Sequence, residues 1–351
     1  VATLAAIRPP ARHLCAFAAA LLAIAALAAC GGQTVVVHHG GAASPVHART
    51  SATRGAGRAR AGSQGPVALR YRELYRLAAP VQDPASAALG DGRFALLGGL
   101  TAADTSTADV VVGDVHGAAV KTSLPNAQHD AQAAALGGRV YVFGGGQYTE
   151  YDHILDYDAA TNAVAAAGSL PTASSDSTVT GDGSTAYVVG GYDGARWLDT
   201  VLAFQPGSPP RVLAHLPVGL RYAAAAFAGG SILVAGGSTP SGISDTVYRV
   251  DPRTGSVTTL VRLPAGVTHA AAGVIGETMY LVGGRGENVS DRTAQVLAID
   301  PAHPGVRRVA TLPEPLSDAA VVSLGDGLIV AGGAAASGTQ SVVGELVPAA
   351  G

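Results

Sequence analysis

The chain is poor in the residues that build compact chemical sites. Its 351 residues include two Cys, one Met and one Trp, and only 13% are charged. Two Cys cannot supply a disulfide framework, a Cys-ligated zinc site or a two-thiol redox motif within the fold. Excess positive charge is also missing. The formal net charge is -3, whereas nucleic-acid binders usually present a strongly basic face, so no nucleic-acid partner is expected. The longest apolar run, Leu14 to Ala29, has 16 residues and falls short of the ~20 needed to span a bilayer as a helix. What the chain has in quantity is turn formers, with 47 Gly and 20 Pro beside 48% hydrophobic residues. That balance suits a compact fold rich in tight turns.

The amino-terminal segment reads as an address. Arg8 and Arg12 precede the apolar run, the order expected of an export signal. The run ends Leu27-Ala28-Ala29-Cys30-Gly31 and closely resembles the bacterial lipoprotein signal, which implies cleavage before Cys30 and acylation of that residue. The alternative is an ordinary signal peptide that happens to carry a Cys at its cleavage site. The expected organisation is a signal over residues 1–29, acylated Cys30 with a Gly/Ala/Arg-rich tether over 30–66, and a folded domain over 67–351. The corresponding location is the outer face of the bacterial cell membrane, with the membrane contacted through the lipid. Four arginines in the tether, Arg49, Arg54, Arg58 and Arg60, suit anionic headgroups or wall polymers, or simply keep a linker soluble. His38, His39 and His47 lie in the same irregular stretch and lack the geometry that defines a metal site.

Internal repetition decides the folded domain. Gly-Gly pairs start at 98, 144, 190, 236, 283 and 332, in steps of 46, 46, 46, 47 and 49. Each follows a short apolar stretch such as Val140 to Phe143 or Ile232 to Ala235, and Leu-Pro stands 20 residues ahead of the last five pairs. The first repeat has only a degenerate Leu77-Ala78-Ala79-Pro80. Four strands per repeat make one blade, so the expected fold is an all-β, six-bladed propeller of four-stranded antiparallel sheets. The sixth repeat lacks a fourth strand, and Val67 to Leu77 is expected to supply it and close the ring. A small strand, Gly-Gly, a loop, a strand and an Asp-containing turn resemble Kelch repeats over about 67–351. The chain departs from that pattern where Kelch repeats usually carry Trp, having Val164, Val257 and Val306 instead, and the Tyr before the Asp survives only as Tyr157.

Candidate binding residues follow from the repeat frame. The fourth and fifth positions after each Pro begin the innermost strands and converge on the channel mouth: His129-Asp130, Ser175-Asp176, Arg221-Tyr222, Thr268-His269 and Ser317-Asp318, with Pro84-Ala85 in the first blade. The loops after Gly-Gly add Tyr148, Glu150 and Tyr151 in blade 2 and Tyr192, Arg196 and Trp197 in blade 3. Together with Tyr222 they hold five of the 17 aromatic residues. Rings interleaved with charge suit a sugar or a peptide, and polar strand ends that hold channel water are the plainer account of the mouth. No metal and no cofactor is expected, since no dense carboxylate loop or phosphate-binding motif is present. The resemblance also covers enzymes. Copper-radical sugar oxidases of this type need a Cys that the domain lacks, whereas sugar epimerases or mutarotases of the sialic-acid type would need acid and base groups, for which Arg221, His269, Glu150 and Asp176 are available. The expected function is a monomeric binding module for an envelope protein or glycan, and the alternative is a sugar isomerase on the same face.

Overall fold

The computed structural model describes residues 65–349. The expected export signal, Cys30 and nearly all of the tether lie outside the described residues. Six four-stranded antiparallel sheets follow one another in the chain and form the blades. Blade 1 comprises Ala85–Ala88, Phe94–Leu97, Thr107–Gly113 and Ala118–Gln128. Blades 2 to 5 repeat this order, and their first strands are Gln132–Leu136, Thr178–Gly181, Ala224–Ala228 and Ala271–Ile275. Blade 6 takes three strands from the end of the chain and its outermost strand, Leu69–Arg76, from the beginning. That strand pairs with Val342–Pro348 from Leu69 opposite Pro348 to Arg76 opposite Val342. The closure covers a sheet edge that would otherwise offer unpaired backbone groups.

The cores lie between blades. Along the second strand of each blade successive side chains face opposite sides, as the two-residue strand period requires. Ala95 and Leu97 of blade 1 therefore pack toward blade 2, while Phe94 and Leu96 pack toward blade 6. Six such apolar clusters occupy the six junctions among the described residues. The Leu of each Leu-Pro pair is one of their members: Leu124, Leu170, Leu216, Leu263 and Leu312 are all buried, and Leu77 does the same for the degenerate first repeat. The pair thus plugs the core as the chain crosses from one blade to the next.

The Gly-Gly pairs make a second clamp at each junction. Both glycines of every pair adopt positive φ, for example 66° and 92° at Gly236 and Gly237. The second glycine donates its N–H to a carbonyl in the linker entering the next blade, as in Gly99 to Gln128 and Gly237 to Val267, both at 2.8 Å. A Cβ on the first glycine would run into that same carbonyl, and one on the second would meet the linker carbonyl of its own blade. The six pairs are glycine because the backbone is left-handed there and another backbone lies on either side.

Candidate functional site

The linker into each first strand ends in a residue with left-handed backbone. These six residues are Asp83, Asp130, Asp176, Tyr222, His269 and Asp318, with φ between 50° and 60°. At five of the six junctions the N–H of one donates to the carbonyl of its counterpart in the preceding blade: Asp83 to Asp318, Asp176 to Asp130, Tyr222 to Asp176, His269 to Tyr222 and Asp318 to His269, at 2.9–3.1 Å. A ring of main-chain bonds therefore frames the mouth. The six side chains line a cavity of about 100 Å³ at the axis. Below it the channel is walled by small residues, mainly Ala, with Val, Thr, Gly and Ser.

The sequence frame placed five of these six positions and missed the one in blade 1. Its linker runs only three residues from Pro80 to Asp83, against five from Pro125 to Asp130, so the expected Pro84 and Ala85 lie past the turn. Asp83 holds the mouth position instead. Pro84 borders the cavity and Ala85 begins the strand. The signal that would have found the site is the pair Gln82-Asp83, a polar residue followed by one that tolerates positive φ, which matches His129-Asp130 and Ser175-Asp176.

Charge around the mouth is uneven. Asp83, Asp130 and Asp318 are all held above the ordinary carboxylate range, first by burial; for Asp83 the charges of Asp318 and Asp130 add to this, and for Asp130 the charge of Asp176 does. Asp176, whose side chain is 1% exposed, accepts from Arg221 Nε at 2.5 Å. One oxygen of Asp318 accepts from Ser317 Oγ at 2.5 Å, while the other is buried without a partner. His129 meets Ser106 at 2.9 Å and lies 3.6 Å from Asp130.

The opposite side is cationic and aromatic. The Arg221 guanidinium lies 4.2 Å from the ring centre of Tyr192, 5.3 Å from Tyr222 and 5.6 Å from Trp197. Tyr222 in turn stacks on His269 with ring centres 3.8 Å apart, and its hydroxyl is pushed up by burial and by the charges of Asp130 and Asp176. His269 Nε2 accepts from Arg285 at 3.0 Å, which places its proton on Nδ1, 3.1 Å from Thr268 Oγ1. Burial, followed by the charges of Arg285, Arg221 and Arg292, brings the imidazole down to about 3. His269 is a neutral, fully engaged group, with neither nitrogen free to take a proton from a substrate.

The loops after Gly-Gly form a layer above this ring. In blade 3 Ser175, Tyr192 and Trp197 are bridged in sequence, in blade 2 His129, Gly146 and Glu150, and in blade 5 Thr268, Arg285 and Arg292. The structure therefore brings Tyr192, Trp197, Arg221, Tyr222 and His269 into one cluster. It places Tyr151 apart, beside His153 with ring centres 4.9 Å apart. Glu150 is half-buried at the return of the blade 2 loop, and Arg196 is exposed and paired with Asp193 at 2.9 Å. Tyr148 stands bare at 92% exposure. Arg285 and Arg292, which the sequence does not mark because their loop carries no aromatic residue, occupy the positions that Tyr192 and Trp197 hold in blade 3.

Comparisons with known proteins agree with this architecture. The family described as Kelch motif matches residues 219–264, which contain the whole of blade 4. The chain is similar to Kelch-like protein 35 of Mus musculus, with 28% identity over 137 residues, or 38% of this chain and 23% of that protein. It spans less than a quarter of that relative's length. Among solved structures it is similar to YjhT, with a TM-score of 0.66 and 17% identity, covering 78% of this chain and 95% of that one. The chain thus carries a Kelch motif within an all-β, six-bladed propeller.

Proposed function

We propose that this Kelch-motif propeller is a binding module that takes a protein or carbohydrate ligand on the face carrying the channel mouth, and that an acylated Cys30 holds it on the outer face of a bacterial cell membrane. The observation that carries the binding role is Tyr148. A ring left 92% exposed on a loop of blade 2 contributes little to packing, and such aromatic groups are typical anchors of recognition surfaces. Tyr192 and Trp197, half-buried on the corresponding loop of blade 3, are further aromatic groups of the same layer.

The isomerase alternative needs a free proton acceptor facing a free donor. Both nitrogens of His269 are engaged and Asp176 is bonded to Arg221, so neither of these two groups is placed as that pair, and the acceptor left to an isomerase is the unpartnered oxygen of Asp318. The full chain should leave the anomeric exchange of reducing sugars, followed by NMR, at its spontaneous rate. Rapid exchange abolished by His269→Ala would overturn this reading.

The direct test compares the full chain with Tyr148→Ala and Trp197→Ala in capture from solubilised bacterial envelope. Loss of capture with unchanged melting supports a ligand-binding face. A large loss of stability in both variants, with capture retained by the folded fraction, refutes it. Labelling with a radioactive fatty acid, lost in Cys30→Ser, tests the anchor.

A further inference from the structure

The cavity at the axis gathers more carboxyl groups than the fold supplies with cations. Of its four aspartates only Asp176 is bonded to an arginine, Arg221. Asp130 accepts from the Tyr222 hydroxyl at 3.4 Å and stands 3.6 Å from His129, while Asp318 stands 3.9 Å from the neutral His269. Arg285 and Arg292 act on Asp318 from beyond ion-pair range and leave its carboxyl still raised. Asp83 and Asp130 each hydrogen-bond a neighbouring carboxyl, Asp318 and Asp176, so each pair shares a proton unless a cation from outside replaces it. Asp318 carries the sharper signal. Its side chain is only 9% exposed, it lines the cavity, and one of its oxygens is buried without a partner. A buried acceptor in that state costs free energy until a donor reaches it.

Two features decide what that donor is. Among the described residues no three carboxylate or imidazole groups converge as a metal ion requires. The acceptors are spread instead around a cavity of about 100 Å³, which suits the longer N–H···O bonds of an ammonium group with its three donors. Beneath the cavity the channel encloses about 210 Å³, and Ala133, Val179, Ala225, Ala272 and Val321 border both spaces. Its wall carries no charged side chain and none larger than Val, so it has room for a short aliphatic chain. We propose that the axis of the propeller binds a free, unbranched alkylamine, whose ammonium group donates to Asp83, Asp130 and Asp318 while its chain lies in the channel beneath. The site goes beyond the binding face described above, because it lies below the exposed loops and does not use Tyr148.

The probe is n-butylamine hydrochloride, titrated into the full chain while the ring protons of Tyr222 and His269, which line the cavity, are followed by NMR. Affinity should rise from methylamine to butylamine, by up to about fourfold per methylene, as the chain enters the channel. n-Butanol lacks the charge and tetramethylammonium lacks the N–H donors, so both should bind more weakly by roughly tenfold or more. Asp318→Asn and Asp83→Asn should each weaken butylamine roughly tenfold, as expected for loss of a charge-assisted hydrogen bond. Both substitutions keep the shape of the side chain. Asp83→Asn also relieves repulsion, so its melting temperature should hold or rise while binding falls, an outcome that unfolding cannot produce. Arg285→Gln, which removes a like charge from above the site, should tighten binding. No shift at tens of millimolar butylamine, a flat series from methylamine to butylamine, equal binding of butanol, or displacement of the amine by equimolar calcium would each overturn the assignment. Butylamine binding should persist in Tyr148→Ala, so this site and the exposed binding face stand or fall separately.

Discussion

Two glycines of blade 4 allow the clamp between blades to be measured. Gly236 and Gly230 have nearly the same backbone, with φ of 66° and 71°, so alanine at either site suffers the same left-handed strain of roughly 1–2 kcal/mol. Their surroundings differ. A Cβ at Gly230 meets nothing within 4 Å, whereas one at Gly236 overlaps the Val267 carbonyl and touches Val267 Cγ1 at 3.0 Å. Relief requires the linker into blade 5 to move away, which breaks the Gly237 to Val267 bond. A buried donor or acceptor left without a partner costs about 1–3 kcal/mol. Gly236→Ala should therefore destabilise by roughly 2–5 kcal/mol and Gly230→Ala by roughly 1–2 kcal/mol. Equilibrium unfolding in guanidinium, followed by far-ultraviolet circular dichroism and by fluorescence of the single Trp197, gives both values and shows whether the two probes coincide. Equal midpoint shifts for the two variants would refute the argument that Gly-Gly is dictated by the neighbouring linker.

Deleting residues 67–77 removes the outer strand of blade 6 and the Leu77 plug, so the chain should lose cooperative unfolding and aggregate through the bared Val342–Pro348 edge; a sharp melt at the parent temperature would contradict the closure. The mouth also predicts opposing pH effects. Asp83, Asp130 and Asp318 have raised folded-state values, so their contribution is complete below the unfolded carboxylate range and is lost as pH rises through the raised values. Asp83→Asn should accordingly stabilise the fold more at pH 8 than at pH 4 in thermal melts, and an equal gain at both would refute the repulsion. His269 has a depressed value of about 3 against an ordinary 6.5, so its contribution is present above 6.5 and is lost as pH falls toward 3. Removing the neighbouring charge in Arg285→Gln should raise the His269 value, read from its imidazole proton shifts; no change would place Arg285 elsewhere.

Much of this architecture is legible in the sequence because the contacts that enforce it recur. Gly-Gly counts the blades since each pair touches the next linker, and Leu-Pro marks the crossings since each Leu enters a core between blades. The strand from Val67 to Leu77 could be assigned because only one position in the ring lacked a strand; the structure places it at Leu69–Arg76. Reading failed where a local change in length broke the frame, as in the shortened linker that hides Asp83. It also failed for Arg285 and Arg292, whose meaning depends on partners distant in sequence: Arg292 reaches Ser317, and Arg285 reaches a histidine from the preceding linker. Residue type alone could not separate Tyr148, left bare, from Tyr192, which lies beneath Arg221.

The left-handed backbone around the mouth restricts which side chains can be displayed there. Because the main chain largely holds the frame, a side chain can be exchanged without rebuilding the ring, but β-branched and bulky residues are penalised at positive φ while Asp, Asn and His are tolerated. Four aspartates and a histidine among the six positions are residues that filter passes, and Tyr222 is the one bulky side chain held there against it. Evolution of a new specificity in this scaffold would be confined to a short alphabet at the axis and free to use any residue one layer above it, at the positions of Tyr192, Trp197, Arg285 and Arg292.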